Sequence, residues 1–249
     1  MNQRIIGGKL SRLLGDEYEI IIHNKMNGNF NMDFDLERTM QLASGAACPM
    51  FRLYGWNPWT ISLGANQKAT DINSQKAKES GIGIVRRPTG GRAVYHADEV
   101  TYSIVCTLRK EMTIKDIYRD THRILISALG NLGCSLDYER VGADFRSWYK
   151  QDGFNVSCFA SSARYEVEWN GKKIVGSAQR VFGNILLQHG SILLGDEHEK
   201  LAFFSNNMDE SEQLKLFEFI GLHSATVSQA CGRKISYKEA VDAIINTIN

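Results

Sequence analysis

The chain has 249 residues, 43% hydrophobic and 23% charged, with a formal net charge of +1. This composition is typical of a soluble globular protein, and the near-neutral charge gives no bulk attraction to nucleic acid or to a membrane surface. No long apolar segment follows the N-terminus, so we expect neither a signal peptide nor a transmembrane span, and we expect a cytoplasmic location.

The first half of the chain mixes predicted strands with predicted helices. Hydrophobic patterning places strands at 17–22, 50–54 and 60–63, and helices at 33–44, 71–79 and 113–132. The first helix is expected to be capped near Asn31 or Asp33 and to end before Gly45. The second is expected to end at Gly81, and the third carries apolar residues mostly at helical spacing.

The second half contains a clear hairpin signal. Residues 164–169 alternate in polarity, Asn170-Gly171 is a strong two-residue turn, and 172–179 return as the second strand. A turn near Gly183 leads into a strand at 185–194. Helices are predicted at 210–220, stopped by Gly221, and at 237–248, where Ser236 and Glu239 have capping-box spacing.

Hairpin-linked strands with interspersed helices indicate an α+β fold with mixed, largely antiparallel sheets flanked by helices. No GxGxxG opens a helix and no Walker P-loop is present, so a dinucleotide-binding or P-loop fold is not expected. We expect one catalytic domain over 1–249, with a helical C-terminal extension at about 197–249.

The cysteines are five in number, widely spaced, and form no CxxC pair. This pattern predicts neither a disulfide framework nor a zinc site, and it suits a reducing compartment. Cys106 continues an apolar run and is expected to be a buried residue. Cys158 differs, because it lies between Ser157 and Phe159 and not in such a run.

Residues 86–96, with the sequence RRPTGGRAVYH, form the most informative segment. Two adjacent glycines between strands permit unusual backbone torsions and close approach of a ligand. Arginines beside exposed backbone amides favour an anion or a polar acyl carbonyl. Alone, the Gly-Gly pair is more typical of a tight turn with solvated arginines.

Three further segments belong with it: Ser157-Cys158-Phe159 followed by Tyr165-Glu166, then 171–179, then 187–193. In order and spacing, over about residues 17–195, they resemble the lipoate–protein ligase and octanoyltransferase superfamily, which is related to biotin–protein ligases. Upstream residues also look like the family's opening helix and second strand; they are Asn31, Met32, Asp35, 52–56 and 62–64.

The resemblance implies a biotin/lipoate–protein ligase-like catalytic domain with an acyl-binding tunnel and an active-site lysine, Lys173. Further residues are implied to bind the acyl group or to form the mouth of the tunnel. They are Arg87, Thr89, Gly90, Gly91, Arg92, Ala93, Tyr95, His96, Ser177, Ala178, Gln188, His189 and Gly190. No metal site is implied.

Lys173 has a plausible chemical role beside this resemblance. Its ammonium group could donate to an acyl carbonyl oxygen as negative charge develops there, or favour a nearby thiolate. Without the motif, an outward-facing strand lysine is the simpler interpretation. We expect that interpretation to hold for Lys172, because neighbouring strand residues face opposite ways.

Cys158 distinguishes the reaction types within the superfamily. One octanoyltransferase branch is similar in carrying a nucleophilic cysteine in this context, whereas typical ATP-dependent ligases lack it. Arg92 also stands where many ligases have a third glycine. We therefore expect octanoyl (or lipoyl) transfer from acyl carrier protein, through a Cys158 thioester, to the lysine of a lipoyl domain. A buried structural thiol remains the alternative for Cys158.

The implied partners are acyl carrier protein as donor and, as acceptor, lipoyl domains such as the glycine-cleavage H protein or 2-oxoacid dehydrogenase E2. The transferase requires no cofactor. Since such carriers are commonly acidic, we expect a basic rim made of Arg86, Arg87, Arg92, Arg164 and Lys172. Neither nucleic acid nor membrane is an expected partner.

Two positions depart from the cysteine-branch pattern. Residues 160–163 replace an acidic residue and a proline, and Ala97 separates His96 from Asp98. Three rival functions therefore stay open. The first is an ATP-dependent lipoate–protein ligase acting through lipoyl-AMP, with magnesium and with Arg87, Arg92 and Lys173 near the phosphate. The second is an amidotransferase between carrier domains, and the third is a non-catalytic binder.

Overall fold

The computed structural model describes residues 2–138 and 167–249. It contains eleven strands over these residues. Their bounds are β1 Asn2–Ile6, β2 Glu17–Met26, β3 Met50–Trp56, β4 Thr60–Leu63, β5 Gly83–Arg86, β6 Val94–His96, β7 Glu99–Thr107, β8 Asp137–Tyr138, β9 Val167–Trp169, β10 Lys172–Phe182 and β11 Ile185–Leu193.

Helices precede, follow and separate these strands. The α-helices are α1 Ser11–Leu14, α2 Gly28–Ala43, α3 Ser74–Glu79, α4 Ile114–Gly130, α5 Glu210–His223, α6 Val227–Ala230 and α7 Tyr237–Ile248. Two 3-10 helices lie at Ala69–Asp71 and Asp196–Phe204. The predicted α+β class, with mixed sheets flanked by helices, is confirmed.

The strands form two sheets of unequal size. The large sheet has the order β1-β2-β3-β7-β11-β10-β9-β8, and the small sheet has the order β5-β4-β6. In the large sheet only β2 and β3 pair in parallel; in the small sheet β4 and β5 do so. All other pairs are antiparallel.

One face of the large sheet forms the main apolar core. Because side chains alternate along a strand, Val100, Tyr102 and Ile104 of β7 point to the same side, as do Phe51 and Leu53 of β3. All five are buried in one cluster that also includes residues of α1, α4 and α7. We call this side the core face.

The opposite face of the large sheet lies against α2 and the small sheet. Near the far ends of the strands it is apolar, with Met50, Val105 and Leu187 packed beside Phe34 of α2. In the middle the same strands carry polar residues instead. We call this side the cavity face, since the candidate site lies between it and the small sheet.

The hairpin and turn predictions agree with the structure. Asn170 and Gly171 have φ values of 51° and 72°, and they join β9 to β10 with Trp169 opposite Lys172. Residues 164–166 of the predicted first strand lie outside the described residues. Gly183 makes the second turn with φ 60°. The capping box of Ser236 and Glu239 is present at the start of α7.

The predicted start of α2 is wrong by about one turn. The helix begins at Gly28, because the Asn27 side chain accepts a hydrogen bond from the Phe30 backbone N–H and caps it there. Asn31 is therefore inside the helix and buried. At the other end of the chain, α5 continues past Gly221 to His223. Sequence patterns also missed the short elements β1, α1, α6 and the 3-10 helix Asp196–Phe204.

The prediction that the cysteines form no disulfide is wrong for one pair. Cys134, just after α4, is joined to Cys231, just after α6, with the Cα atoms 4.6 Å apart. The two cysteines are 97 residues apart in the sequence, so their spacing gave no sign that the fold brings these helix ends together. Cys106 is fully buried as predicted, and burial raises the pKa of its thiol to about 12.

Candidate active site

A small cavity, partly open to solvent, lies between the cavity face and the small sheet. Its apolar lining comes from Met32 of α2, Tyr54 and Trp56 of β3, and Val94 of β6. Its remaining lining is polar or small. These residues are Ser62, Arg87, His96, Thr101, Gly176, Ser177, Ala178, His189, Gly190 and Ser191. The cavity therefore combines an apolar wall with a polar one.

The register of the sheets explains why these residues meet. On the large sheet Tyr54 pairs with Thr101, Thr101 with Ser191, and Ser191 with Gly176, which gives one row across four strands. Gly176 has no side chain, so the β10 end of this row leaves space for the cavity. On the small sheet Ser62 pairs with Val94, and these residues face the row.

The turn that joins β5 to β6, residues 87–92, borders the cavity, and we call it the glycine turn. Arg87 is buried and its guanidinium donates inward, to the carbonyl oxygens of Gly90 at 2.9 Å and Arg92 at 2.6 Å. Gly91 has φ 93°, and its carbonyl oxygen would lie 1.9 Å from a Cβ placed on Gly64. Glycine is thus required at both positions for the turn to pack.

A hydrogen-bonded chain of Glu99, His96 and Ser62 forms one side of the polar wall; we call it the Glu99 relay. His96 Nδ1 lies 2.8 Å from Glu99 Oε1, and His96 Nε2 lies 2.8 Å from Ser62 Oγ. Ser62 Oγ in turn accepts from Arg87 Nη1 at 3.1 Å. The relay therefore connects a buried carboxylate to the glycine turn.

Glu99 is 2% exposed, and a charge buried to this degree must be paired. Burial acts to raise the pKa of Glu99, but its interactions with His96, Thr101 and Ser191 together outweigh burial, and the pKa lies below the usual value. Ser191 donates to the same Oε1 atom at 2.9 Å, and Thr101 also donates there. Trp56 stacks on the His96 ring with centroids 4.0 Å apart and fixes its plane.

A second chain, Asp35, His189 and Thr89, forms the other side of the polar wall; we call it the Asp35 relay. Asp35 is fully buried and accepts from Arg52 at 2.8 Å, Ser103 at 2.8 Å and Tyr54 at 3.1 Å. His189 Nδ1 lies 3.8 Å from Asp35 Oδ2, and His189 Nε2 lies 2.5 Å from Thr89 Oγ1.

The buried charge of the Asp35 relay is balanced by Arg52 inside the protein. Burial acts to raise the pKa of Asp35, but the interactions with Arg52 and His189 together outweigh it and lower that pKa. Burial also lowers the pKa of His189, although Asp35 acts in the opposite direction. At neutral pH His189 is therefore uncharged, and the ion pair of Arg52 and Asp35, with both side chains 0% exposed, carries the charge.

Ser177 is held from the core face of the large sheet. Its Oγ lies 2.7 Å from the Tyr102 hydroxyl and 2.8 Å from His122 Nε2. A Cβ on Gly190 would lie 2.4 Å from this Ser177 Oγ, so Gly190 leaves the space that the serine occupies. Gln188 donates to the Tyr102 hydroxyl at 2.7 Å and completes the cluster.

The two lysines that begin β10 differ in burial, as the strand alternation predicted. Lys173 is 6% exposed, and its carbonyl oxygen accepts from the Ala225 backbone N–H at 3.0 Å. Lys172 is half-buried, and its Nζ donates to the Gly221 carbonyl oxygen of α5 at 3.0 Å. Lys172 is therefore not a simple solvated lysine, because it is bound to the end of a helix.

The sequence of this chain matches a known protein family over most of its length. The model of the lipoyl protein ligase A/B catalytic domain matches residues 27–249. The chain belongs to this lipoyl protein ligase family. Octanoyltransferase LipM of Symbiobacterium thermophilum is 35% identical over 87% of this chain and 79% of the relative. Octanoyltransferase LipM of Brevibacillus brevis is 31% identical over 92% of this chain and 84% of the relative.

Solved structures of lipoate–protein ligases share the fold. The bipartite lipoate–protein ligase of Thermoplasma acidophilum, whose structural study includes its E2 lipoyl domain, has a TM-score of 0.69 at 21% identity. It covers 92% of this chain and 80% of its own. Lipoate–protein ligase A bound with ATP has a TM-score of 0.65 at 20% identity over 92% and 82% of the two chains. The expected ligase-like fold is confirmed.

Most of the residues that the family resemblance implied lie at the cavity or on the glycine turn. Ala93, Tyr95, Gln188 and Lys173 do not line the cavity. Ala93 and Tyr95 face the other side of β6, in the apolar cluster with Ile61, because only alternate residues of that strand reach the cavity. Gln188 points to the core face, opposite Ile104. Cys158 lies outside the described residues.

The expected basic rim also changes in composition. Arg87 is 4% exposed and bound to backbone carbonyls, so it belongs to the interior and not to a rim. Arg86 is exposed but donates to the Gly64 and Gln67 carbonyl oxygens at 2.6 Å and 2.7 Å. Arg164 lies outside the described residues. Arg92, which is partly exposed, remains the best rim candidate.

Sequence reasoning missed several functional residues of the site. Asp35, Arg52 and Ser62 contribute only to the family resemblance, and Glu99 and Ser191 have no predicted role. The signal in the sequence was polar residues inside strands that are otherwise apolar, such as Arg52 in β3 and Glu99 in β7.

Within residues 2–138 and 167–249, no group of three or more histidine, cysteine, aspartate or glutamate side chains is arranged to hold a metal ion. In the same part of the chain, no helix is long and apolar enough to cross a membrane.

Proposed function

We propose that this protein is an octanoyltransferase of protein lipoylation. It moves an octanoyl (or lipoyl) group from acyl carrier protein, through a thioester on Cys158, to the lysine of a lipoyl domain. The observation that carries the proposal is the cavity between the two sheets, in a chain 31–35% identical to octanoyltransferases over most of its length. Sequence relatives supply the reaction class, and the cavity supplies a fitting place for it.

The walls of the cavity suit an acyl thioester. Met32, Tyr54, Trp56 and Val94 offer an apolar surface to the hydrocarbon chain, whose burial is favourable. The polar wall offers hydrogen-bond donors and small residues to the carbonyl end. Ala178 and Gly176 leave room beside His189 and Ser191, their partners on β11.

The chemistry proceeds in two balanced steps. The Cys158 thiolate attacks the thioester carbonyl, a new C–S bond forms, the bond to the carrier sulfur breaks, and the carrier thiol leaves with a proton. The neutral lysine amine of the acceptor then attacks the acyl-cysteine. A C–N bond forms, the amine loses a proton, and the Cys158 thiolate is restored. Lys173 stabilises the oxyanion that develops in each step.

This route needs no ATP. Exchange of one thioester for another is nearly balanced in free energy, and amide formation makes the second step downhill. The proposed acceptors are lipoyl domains such as the glycine-cleavage H protein or 2-oxoacid dehydrogenase E2. An E2 lipoyl domain accompanies the Thermoplasma ligase that shares this fold, which supports that class of acceptor.

The ATP-dependent ligase is the main rival, and Arg87 bears on it. That rival places the Arg87 guanidinium near the phosphate of an acyl-adenylate. In this chain the guanidinium donates to the Gly90 and Arg92 carbonyl oxygens and to Ser62. A group held in this way supports the shape of the glycine turn, so Arg87 has a role in this structure that needs no phosphate.

A transfer assay separates the candidate functions. The protein is mixed with octanoyl–acyl carrier protein and the H protein without ATP, and the mass of the H protein is followed. We expect octanoylation of its lysine. Parallel reactions use free lipoate with ATP and magnesium, and octanoylated H protein with an E2 domain. Product formed only with ATP would establish the ligase, and product formed only between carrier domains would establish the amidotransferase.

Docking of the acidic donor is tested at the rim. Arg92 is partly exposed, so Arg92→Glu is expected to raise KM for octanoyl–acyl carrier protein and to weaken its salt dependence. Arg123→Glu is the matched control, because Arg123 is exposed on α4, away from the glycine turn. If both variants keep the wild-type KM and salt dependence, the basic rim does not bind the donor.

A further inference from the structure

Asp35 is an unusual residue for the interior of a protein. It is completely buried on α2, yet it carries a charge that is balanced by the equally buried Arg52. Buried ion pairs are weak sources of stability, since desolvation of both groups offsets much of their attraction. Arg52 is itself held by Asn31 Oδ1 at 2.7 Å, so both ends of the pair are fixed in position.

The hydrogen bonds of Asp35 divide between its two oxygens. Oδ1 accepts from Arg52 and Ser103, while Oδ2 accepts from Tyr54 and also faces His189 Nδ1 at 3.8 Å. In the part of the chain that the structure describes, His189 Nδ1 has no hydrogen-bond partner. The charge of the Asp35 carboxylate, 3.8 Å away, therefore favours a proton on this ring nitrogen.

The protonation of His189 follows from this arrangement. A neutral imidazole carries one N–H, and a carboxylate oxygen only accepts hydrogen bonds, so the proton belongs on Nδ1. Nε2 is then an acceptor, and the Thr89 hydroxyl donates a hydrogen bond to it at 2.5 Å. The Thr89 carbonyl oxygen also accepts from the Ala65 backbone N–H at 2.9 Å, so both ends of Thr89 are fixed.

We propose that Asp35 is a positioning residue of the acyl-transfer site, which acts by setting the His189 tautomer that holds Thr89 and the glycine turn. The proposal rests on the octanoyl transfer proposed above. Asp35 touches neither the cavity nor the turn, and its effect reaches them through the imidazole ring. Thr89 stands directly before Gly90 and Gly91, so its rotamer and position fix where those two residues begin.

An amide at position 35 reverses this pattern. In Asp35→Asn the remaining oxygen stays with the Arg52 guanidinium and Ser103, so the NH2 group replaces Oδ2 and faces His189 and Tyr54. The Tyr54 hydroxyl then has to turn so that it accepts from this group. An NH2 group donates, and Nδ1 must then accept, which moves the imidazole proton to Nε2. Nε2–H points at Thr89 Oγ1, and the Thr89 hydroxyl proton loses its acceptor.

The Glu99 relay supplies a matched control for the loss of a buried charge. His96 Nδ1, Thr101 and Ser191 all hydrogen-bond to one oxygen, Oε1 of Glu99. In Glu99→Gln the amide oxygen occupies that position, so the His96 proton is expected to stay on Nδ1. The same carboxylate-to-amide change is thus expected to alter the tautomer of His189 and to leave the tautomer of His96 unchanged.

The first measurement is the 15N-resolved imidazole spectrum of the ligand-free protein at neutral pH. We expect His189 as the Nδ1–H tautomer in the wild type and as the Nε2–H tautomer in Asp35→Asn, with His96 unchanged in Glu99→Gln. An Nε2–H tautomer for wild-type His189 would overturn the proposal even if the Asp35 variant failed to fold. An unchanged His189 tautomer in a folded Asp35→Asn would also overturn it.

The second measurement is a double-mutant cycle on the transfer rate. Asp35→Asn and Thr89→Val are each expected to lower kcat/KM by about tenfold, and the double variant by little more, because both break one chain of contacts. Thr89→Ser, which keeps the hydroxyl, should restore most of the rate. Independent, multiplied losses would mean that Asp35 has only a general structural role. If the wild type transfers no octanoyl group, the proposed function fails, while the tautomers still decide the link from Asp35 to Thr89.

Discussion

The two faces of the large sheet are built from the same strands but pack against different neighbours. On β7, Val100, Tyr102 and Ile104 enter the main core. The alternate residues serve the two relays: Glu99 belongs to one, Thr101 donates to Glu99, and Ser103 donates to Asp35. One face thus gains stability from apolar burial, which is tolerant of detail. The other depends on paired charges and directed hydrogen bonds, so a small change there has a local and specific effect.

The largest expected effect comes from breaking the buried ion pair of the cavity face. Arg52→Met leaves Asp35 buried without its countercharge, and we expect a loss of about 3–5 kcal/mol in the free energy of unfolding, measured by urea denaturation. The control Arg233→Met removes an exposed ion pair with Glu239 and should change stability little. Equal effects of the two variants would mean that the interior pair is not special.

A pair of neighbouring residues compares the two faces directly. Ile104→Ala opens a cavity in the core face and is expected to cost about 2–5 kcal/mol of stability. Ser103→Ala removes one of the hydrogen bonds to Asp35 and is expected to cost about 1 kcal/mol. Urea denaturation checks both values. A Ser103 variant that destabilised the protein more than the Ile104 variant would reverse the roles of the two faces.

Gly190 lies beside Ser177, which both lines the cavity and hydrogen-bonds to Tyr102 of the core face. In Gly190→Ala the new Cβ would lie 2.4 Å from Ser177 Oγ and 2.7 Å from a Tyr102 ring carbon. We expect a loss of about 1–3 kcal/mol in stability and a lower transfer rate. Gly130→Ala is the control, because a Cβ there meets nothing within 4 Å. A fully stable and active Gly190 variant would show that the cavity does not need this opening.

The last expected effect is a pH dependence of stability that arises from His198, in the 3-10 helix Asp196–Phe204. His198 is buried within electrostatic reach of Glu99, and burial lowers its pKa to about 4. The unfolded chain binds a proton there below pH ~6.5 and the folded protein does not, so stability falls between pH ~6.5 and ~4. His198→Gln should remove about 1–2 kcal/mol of that loss at pH ~5. If His198→Gln had the same pH profile of stability as the wild type, protonation of His198 would not contribute to the loss of stability at acid pH.

The sequence predicted the elements with strong periodicity and the residues with a family motif. Thr60–Leu63 and Tyr237–Ile248 were found with their observed bounds, since each has a clear pattern and turn or cap residues beside it. Short elements such as α1 and β1 were missed, because few residues carry too little periodicity.

The two relays could not be predicted from the sequence, for a different reason. His189 and Asp35 are far apart in the chain, and only the pairing of β11 with β7 and the packing of α2 bring them together. The same holds for the disulfide of Cys134 and Cys231. Strand alternation could have shown that Tyr95 and His96 face opposite ways, and hence that Tyr95 does not reach the cavity.

The most direct test of the transferase function is the intact mass of the protein after mixing with octanoyl–acyl carrier protein in the absence of ATP. We predict an octanoyl adduct on the wild type that hydroxylamine removes, and no adduct on Cys158→Ser. Cys48→Ser and Cys106→Ser should keep the adduct. A wild type without an adduct, together with ATP-dependent labelling of a lipoyl domain by free lipoate, would contradict the transferase and make Cys158 a structural residue.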